Sequence, residues 1–447
     1  MLRLAILSGR LAMATVTWGQ EAVGPVGAVL TLEQAVALAL QNNRQVQNAS
    51  LEVGKKIDQT AAARTSRLPA FNVYFLESYL FTPLEFTFPQ GSIGTFPSTG
   101  PIPATDKTIR TERQLATFVA TQATQPLSQL YRLGLNVQLQ EVGGAVAQEE
   151  LRQQRQAVVY DVKQVYYGIF QTLSSIAALN VTLQSYRELD RLVTDYVRQH
   201  KALKVDSLEV KTRLAKAEYD LLTLRHTLDT RQEQLNNLMG IDIGTALRVA
   251  PVPDPVSEAL DQTAASARAL AQRPELKAAQ LKVQQAEYNR RIKLAEYIPD
   301  LSLAFTYVSA VNVELVPKNI SSVGLLLTWD VFDWGRKKHQ VAERSKTVAQ
   351  ARTTVSDTEN AIQIEVRSRL RTVQEKAALI QINRLARETA REKVRLALDK
   401  YTQQAALLQD VLQAQANLAD ADATYQAGLL ALWTARADLE KALGEDY

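Results

Sequence analysis

Thr328-Trp329-Asp330-Val331-Phe332-Asp333-Trp334-Gly335-Arg336 joins two kinds of sequence. Upstream, Val323, Leu325, Leu327, Trp329 and Val331 fall on one side of a period-two alternation, and Ser322, Gly324, Thr328 and Asp330 on the other. That pattern predicts a β-strand. Downstream, Lys337 to Tyr447 contains no proline and is dominated by Ala, Leu, Gln, Glu, Arg and Lys, all strong helix formers. The stretch therefore reads as a joint between a strand about as long as a membrane is thick and very long helices. Such a joint suits a conduit better than an enzyme.

Composition narrows the class. The 447 residues carry 51 basic and 47 acidic side chains, a net charge of +4, so the totals imply no nucleic-acid-binding patch. Only 6% of residues are aromatic, and they cluster at 71–88, 297–307 and 329–334 rather than filling one core. Cysteine is absent, which excludes disulfides, thiolate metal sites and a cysteine nucleophile. No run of 18 or more apolar residues occurs, so a membrane crossing would have to be a closed β-barrel. Residues 1–30 begin Met1-Leu2-Arg3-Leu4-Ala5-Ile6-Leu7 and offer Ala12-Met13-Ala14 as a cleavage pattern, the layout of a signal peptide. A disordered N-terminus or a wrongly placed start codon would look the same.

Thr31 with Gln34 forms a capping-box pattern, and the spacing predicts one helix from there to about Arg67, stopped by Leu68-Pro69. Phe71, Val73, Phe75, Tyr79 and Phe81 then alternate as a strand, and a second strand is expected from Leu115 to Gln125. The intervening 82–108, with five prolines and three glycines, reads as a loop.

The chain repeats itself. Residues 35–73 match 265–303 at an offset of 230, as in Pro69 with Pro299, and residues 125–242 match 329–446 at an offset of 204, as in Gly240 with Gly444. The offsets differ by 26 residues, so the first copy carries the longer loop between its paired strands, at 82–108. Two helix–strand–strand–helix–helix units follow, residues 31–250 and 251–447, after the N-terminal segment 1–30. Arg132 to Lys204 and Arg336 to Leu408 lack strong helix breakers, so each predicts a helix of roughly 70 residues and about 100 Å. Val158, Val162, Val165, Ile169 and Leu173, and again Leu379, Ile382, Leu385 and Leu396, recur at helical spacing and predict packing along a seam. Each long helix turns near Ala202–Asp206 or Ala406–Asp410, and the returning helices end at Gly240 and Gly444. Four strands per chain cannot close a membrane barrel, since the smallest use eight, so several chains must contribute.

The duplicated unit, the strands Leu301–Ala310 and Ser321–Phe332, the Trp-Asp-Val-Phe-Asp-Trp-Gly exit and the hairpin Tyr401…Asp410-Val411-Leu412-Gln413-Ala414-Gln415 resemble the TolC family of outer-membrane efflux proteins. The resemblance covers residues 30–446. It implies a mainly α-helical protein with membrane β-structure: a homotrimer whose twelve-stranded outer-membrane barrel continues into a long periplasmic α-barrel. It also implies a periplasmic adaptor protein and an inner-membrane transporter as partners, and no cofactor.

The tip of the hairpins is where that family gates and docks. The resemblance places Asp206, Asp410 and Tyr401 at the pore constriction, with Asp410 repeated as an acidic ring. It places His200, Ala202, Leu203, Gln404, Ala406 and Leu407 against the adaptor. Each aspartate also reads as an ordinary helix N-cap. Where the family usually has glycine, six residues before each aspartate, this chain has His200 and Gln404, and Gln413 stands at the position of a second acidic ring residue. Trp329 and Trp334 are expected at the membrane interface, where tryptophan is enriched. Arg336 and Lys337, with Lys338 and His339, would meet anionic lipid head groups there, or else form a solvated first helical turn. His200, His226 and His339 lack metal-ligand spacing, and no nucleotide-binding or nucleophile motif occurs. The competing reading is a soluble, elongated coiled-coil scaffold.

Overall fold

A computed structural model describes residues 29–83, 85–110, 115–252, 261–312 and 317–446. Residues 1–28, and with them the signal-peptide reading, lie outside the described residues. In chain order the elements are β1 (Val29–Leu30), α1 (Leu32–Asn42), α2 (Arg44–Thr65), β2 (Ala70–Tyr79), β3 (Glu85–Phe88), β4 (Gly94–Phe96), β5 (Gly100–Ile102), β6 (Lys107–Arg110), β7 (Leu115–Pro126), α3 (Leu130–Arg198) and α4 (Lys204–Met239). After β8 (Arg248–Val249) at the end of the first unit come α5 (Gln262–Gln272), α6 (Pro274–Ala295), β9 (Asp300–Val311), β10 (Asn319–Thr328), α7 (Arg336–Thr402) and α8 (Leu408–Leu443).

Helices α3 and α7, of 69 and 67 residues, are about 100 Å long each. The shorter α4 and α8, both of 36 residues, return beside them. Toward the strands, α2 lies on α3, α3 on α6 and α6 on α7; toward the turns, α4 lies on α3, α3 on α8 and α8 on α7. One apolar cluster binds Val158, Val162 and Ile169 of α3 to Ala35, Leu235 and Trp433. A second joins Leu183, Leu189 and Val193 to Val210, Tyr401 and Val411 near the turns. A third packs Ala269, Ile362, Val366 and Ala442 in the second unit. The other predicted seam behaves differently: Leu379, Ile382, Leu385 and Leu396 are exposed, so none of the described residues covers that stripe of α7.

The expected single helix at 31–67 is two. Thr31 does form the capping box with Gln34, but Asn43 leaves the helical region, caps α2 through Oδ1 and donates from Nδ2 to the Leu238 carbonyl at 2.9 Å. The repeat breaks at the matching place, Arg273, followed by Pro274. Each break packs against the end of a returning helix, beside the left-handed Gly240 or Gly444. Parallel pairing of β1 with β8 ties the chain just ahead of α1 to the end of the first unit at this level, where the Tyr166 hydroxyl donates to the carbonyls of Leu30 and Ala250.

The sheet has the order β10-β9-β7-β2, antiparallel throughout. Its two hairpins share one register: Ala70 lies opposite Thr124 and, shifted by the repeat offsets, Asp300 opposite Thr328. One face carries Phe71, Val73, Phe75, Tyr79, Leu301, Leu303, Phe305, Val323, Leu325 and Leu327, with Glu77 its charged exception. The other carries mostly small and polar side chains, among them Asn72, Gln122, Thr124, Ser302, Thr306, Ser322 and Gly324. That division is the alternation of a membrane strand. Strand β10 stops at Thr328, short of the expected Phe332, because its ladder partner β9 begins at Asp300 and Trp329 has nothing left to pair with in this chain. The segment read as a loop holds two small ribbons, β3 with β6 and β4 with β5. Phe86, Phe88 and Ile109 share one side of the first and Thr87 and Thr108 the other, an alternation that the prolines and glycines mask in the sequence.

Candidate functional site

At the turns, the two hairpins repeat one geometry. Past α3, His200 adopts φ +58, and past α7, Gln404 adopts φ +59. The next residue reaches back in each case, Lys201 N–H to the Tyr196 carbonyl and Ala405 N–H to the Lys400 carbonyl, both at 2.8 Å, a closure that usually selects glycine. The returning helix begins at an extended Leu203 or Leu407. The Asp206 carboxylate accepts the Leu203 N–H at 2.8 Å and the Asp410 carboxylate the Leu407 N–H at 3.0 Å. Both aspartates thus sit at the third helical position and reach back to the cap, not at the cap itself; leucine at the cap has no side-chain oxygen for the first-turn N–H groups, and the acid three residues on satisfies the cap's own N–H.

The pair is not equivalent in its surroundings. Asp410 is exposed, whereas Asp206 is half-buried and close enough to Tyr401 for its charge to add to burial in raising the phenol's pKa. Tyr401 itself is only 7% exposed and packs beside Tyr196 with ring centroids 5.9 Å apart. It belongs to the core that binds the hairpins together, so its ring serves packing at the tip. His200 and Gln404 are exposed, Ala202 and Ala406 half-buried, and Leu203 and Leu407 stand 69% and 70% exposed at the extreme end.

At the other end, the strand exit is held by Asp333, which accepts the N–H of Gly335 at 3.1 Å and of Lys337 at 3.0 Å. Trp334 and Gly335 both take positive φ, which throws Trp334 outward at 88% exposure against the edge of Phe332. Trp329 and Arg336 are exposed too, with Arg336 3.3 Å from Asp330. Lys337 differs from expectation: it is 8% exposed, its ammonium lying 3.9 Å from Asp330 and over the Tyr297 ring, so it faces the protein and not a lipid surface. The matching joint of the first unit is closed. Ser128 donates to the Pro299 carbonyl and accepts from Leu301 N–H, both at 2.7 Å, and Arg132 pairs with Asp300 at 3.1 Å.

Between the ends lies a polar lock that the sequence reading missed. Arg273, almost fully buried, meets Glu275 at 3.0 Å and also pairs with Glu365. Burial pulls this guanidinium's pKa down, but its bonds to the two glutamates outweigh that and leave it raised; burial pushes Glu275 up, and the bond from Arg273 brings it below its ordinary value. Arg273 aligns with Asn43 in the repeat, and that one-for-one change of a neutral cap to a cation was the signal available.

The sequence profile of the outer membrane efflux proteins matches residues 35–241 and 265–445, both repeats. The chain belongs to that family. No curated protein matches it significantly in sequence. Among solved structures, this outer membrane efflux protein is similar to the Campylobacter jejuni CmeC outer membrane channel, with a TM-score of 0.76 and 16% identity over 92% of this chain and 85% of that one. It is similar also to the Vibrio cholerae outer membrane protein VceC, with a TM-score of 0.73 and 16% identity over 93% and 96% of the two chains. The open-state Neisseria gonorrhoeae MtrE outer membrane channel gives 0.71 and 16% over 92% and 88%. At such identity the likeness speaks for the fold, and it is the TolC-like one. The efflux protein's long helices are thus a periplasmic extension of an outer-membrane channel, and the soluble-scaffold reading gives way.

Proposed function

We propose that this outer membrane efflux protein is one third of a trimeric exit duct, in which three four-stranded sheets close a twelve-stranded barrel continuous with a helical tunnel. The observation that carries the reading is the sheet's pair of open edges. Among the described residues, strands β2 and β10 are both unpaired on their outer sides and run in opposite directions, so copies join head to tail without breaking the antiparallel alternation. A lipid-exposed sheet with free edges is untenable in hydrocarbon, and closure removes the edges. The exposed apolar stripe of α7 supports the same assembly, since a neighbouring copy would cover it.

The duct is passive. An inner-membrane transporter supplies the energy, and a periplasmic adaptor joins it to the exposed tips, with Leu203, Leu407, His200 and Gln404 as the outermost contacts and Ala202 and Ala406 behind them. Asp410, exposed and repeated by the threefold axis, forms an acidic ring that favours cations; Asp206, beside Tyr401, serves the seam between hairpins. At the other end Trp329, Trp334 and Arg336 meet the inner boundary of the outer membrane. The test is to fractionate expressing cells and size the detergent-extracted protein: a trimer from the outer-membrane fraction is expected, and a soluble monomer would overturn the duct. In reconstituted channels, Asp410→Ala should reduce cation selectivity; unchanged selectivity and conductance would remove Asp410 from the pore.

A further inference from the structure

The two repeats meet inside one chain where β7 pairs with β9, so this junction is an internal copy of the contact that β10 must make with β2 of the next chain. The repeat offsets that carry one hairpin onto the other reproduce its register over its whole length, from Ala70–Thr124 onto Asp300–Thr328 to Tyr79–Leu115 onto Ser309–Asn319. The same offsets applied to β7–β9 fix the seam. We propose that β10 pairs with β2 of the neighbouring copy with Thr328 opposite Tyr74, and that β10 is lengthened there to Asp330, which stands opposite Asn72. The templates are the pairs Thr124–Ala304 and Pro126–Ser302. The inference rests on the trimeric reading and adds to it a register.

Three features of the chain agree with it. First, the sides match: Leu327 meets Phe75 and Trp329 meets Val73 on the apolar face, while Gly324 meets Ser78 and Asp330 meets Asn72 on the polar one. A slip of one residue would turn Phe71, Val73 and Phe75 inward and Asn72 toward lipid. Second, the side chains at this edge lie open in the single chain; Phe71, Val73, Phe75, Leu327, Trp329 and Val331 are all exposed. Third, the premature end of β10 is explained. In the first unit β7 runs two residues further than its own hairpin requires because β9 offers Ser302 to Pro126, and Leu127 N–H then donates to the Leu301 carbonyl at 2.9 Å. The equivalent donor at the seam is Val331 N–H, and the equivalent acceptor is the carbonyl of Phe71. Phe332 stands where Ser128 stands in the first unit, so an apolar contact with Pro69 and Phe71 replaces the hydroxyl bridge.

The chain has no cysteine, so paired cysteines report the register without background. Ser78→Cys/Gly324→Cys and, on the other face, Phe75→Cys/Leu327→Cys should each give a covalent ladder up to the trimer on mild oxidation, because directly opposed residues fall within disulfide reach. Ser78→Cys combined with Ser322→Cys or Leu326→Cys displaces the partner by about 6.6 Å and should cross-link at least several-fold less. A maximum at either displaced pair, in protein that still sizes as a trimer, would overturn the register and leave the duct standing. Monomeric protein with no cross-link would sink both. Should the double variants fold poorly, amide exchange on the unaltered trimer decides: protection at Val331 is expected, and exchange at the rate of a free loop would overturn the lengthened strand.

Discussion

Gly240 and Gly444 occupy the same place in the two repeats, yet alanine at the first should be tolerated far worse. Both are left-handed, at φ +68 and +76, so either substitution strains the backbone by about 1–2 kcal/mol. Their neighbours differ. A Cβ on Gly240 would lie 2.5 Å from the Asn42 carbonyl oxygen and 2.9 Å from its carbon, backbone atoms at the corner between α1 and α2. A Cβ on Gly444 meets nothing closer than the Arg273 backbone nitrogen at 3.1 Å. The Gly240 variant must push the corner aside, and overpacking of that kind typically adds about 1–3 kcal/mol. It also pulls on Asn43, whose amide holds the Leu238 carbonyl. Gly240→Ala should therefore destabilise by about 2–5 kcal/mol and Gly444→Ala by about 1–2 kcal/mol. Thermal unfolding of the detergent-solubilised protein, followed by helical circular dichroism, compares them in one experiment. Equal midpoints, or the larger loss at Gly444, would refute the reasoning.

Arg273→Ala leaves Glu275 and Glu365 without their cation, and, allowing for the partial exposure of Glu365, the loss should be about 2–4 kcal/mol in the same melt. Glu275 titrates below its ordinary value when folded, so its stabilisation is complete at neutral pH and fades as the pH falls below about 4; Glu275→Gln should flatten that acid limb, which a series of melts at falling pH would reveal. His200→Gly and Gln404→Gly relieve a left-handed non-glycine residue and should each raise stability by about 1 kcal/mol, less only what the looser unfolded chain takes back. A drop in the unfolding midpoint for both would show that these side chains make contacts worth more than the strain.

Much of the architecture was legible because it follows from periodicity and punctuation. Pro69 and Pro299, the alternation after them and the proline-free runs after Pro126 and Gly335 mark the strands and long helices within a few residues. What escaped depends on contacts across the fold. Asn43 and Arg273 break helices whose sequence would continue, since each is held by the far end of a returning helix. Thr328 ends a strand whose alternation continues, because the ladder partner stops first. At the tip, residue types pointed to the aspartates, but only the backbone path shows that they serve as third-position acids and that Tyr401 turns inward. Lys337, one residue from the exposed Arg336, is turned by about 100° around the helix onto Tyr297, a difference that the Arg-Lys-Lys-His run does not display.

The register of the sheet also sets a bore. Ala70 lies opposite Thr124, Thr124 opposite Ala304, and Ala304 is the repeat mate of Tyr74, so crossing two strands climbs four residues along the strand direction. Four residues are about 13 Å against about 9.6 Å of lateral travel, which inclines the strands by about 54° to the axis. Twelve upright strands would enclose a ring only about 18 Å across; at this inclination the same twelve enclose about 31 Å between backbones. A stagger of a few residues, written into the order of prolines and apolar positions, thus sets the width of the barrel in the outer membrane.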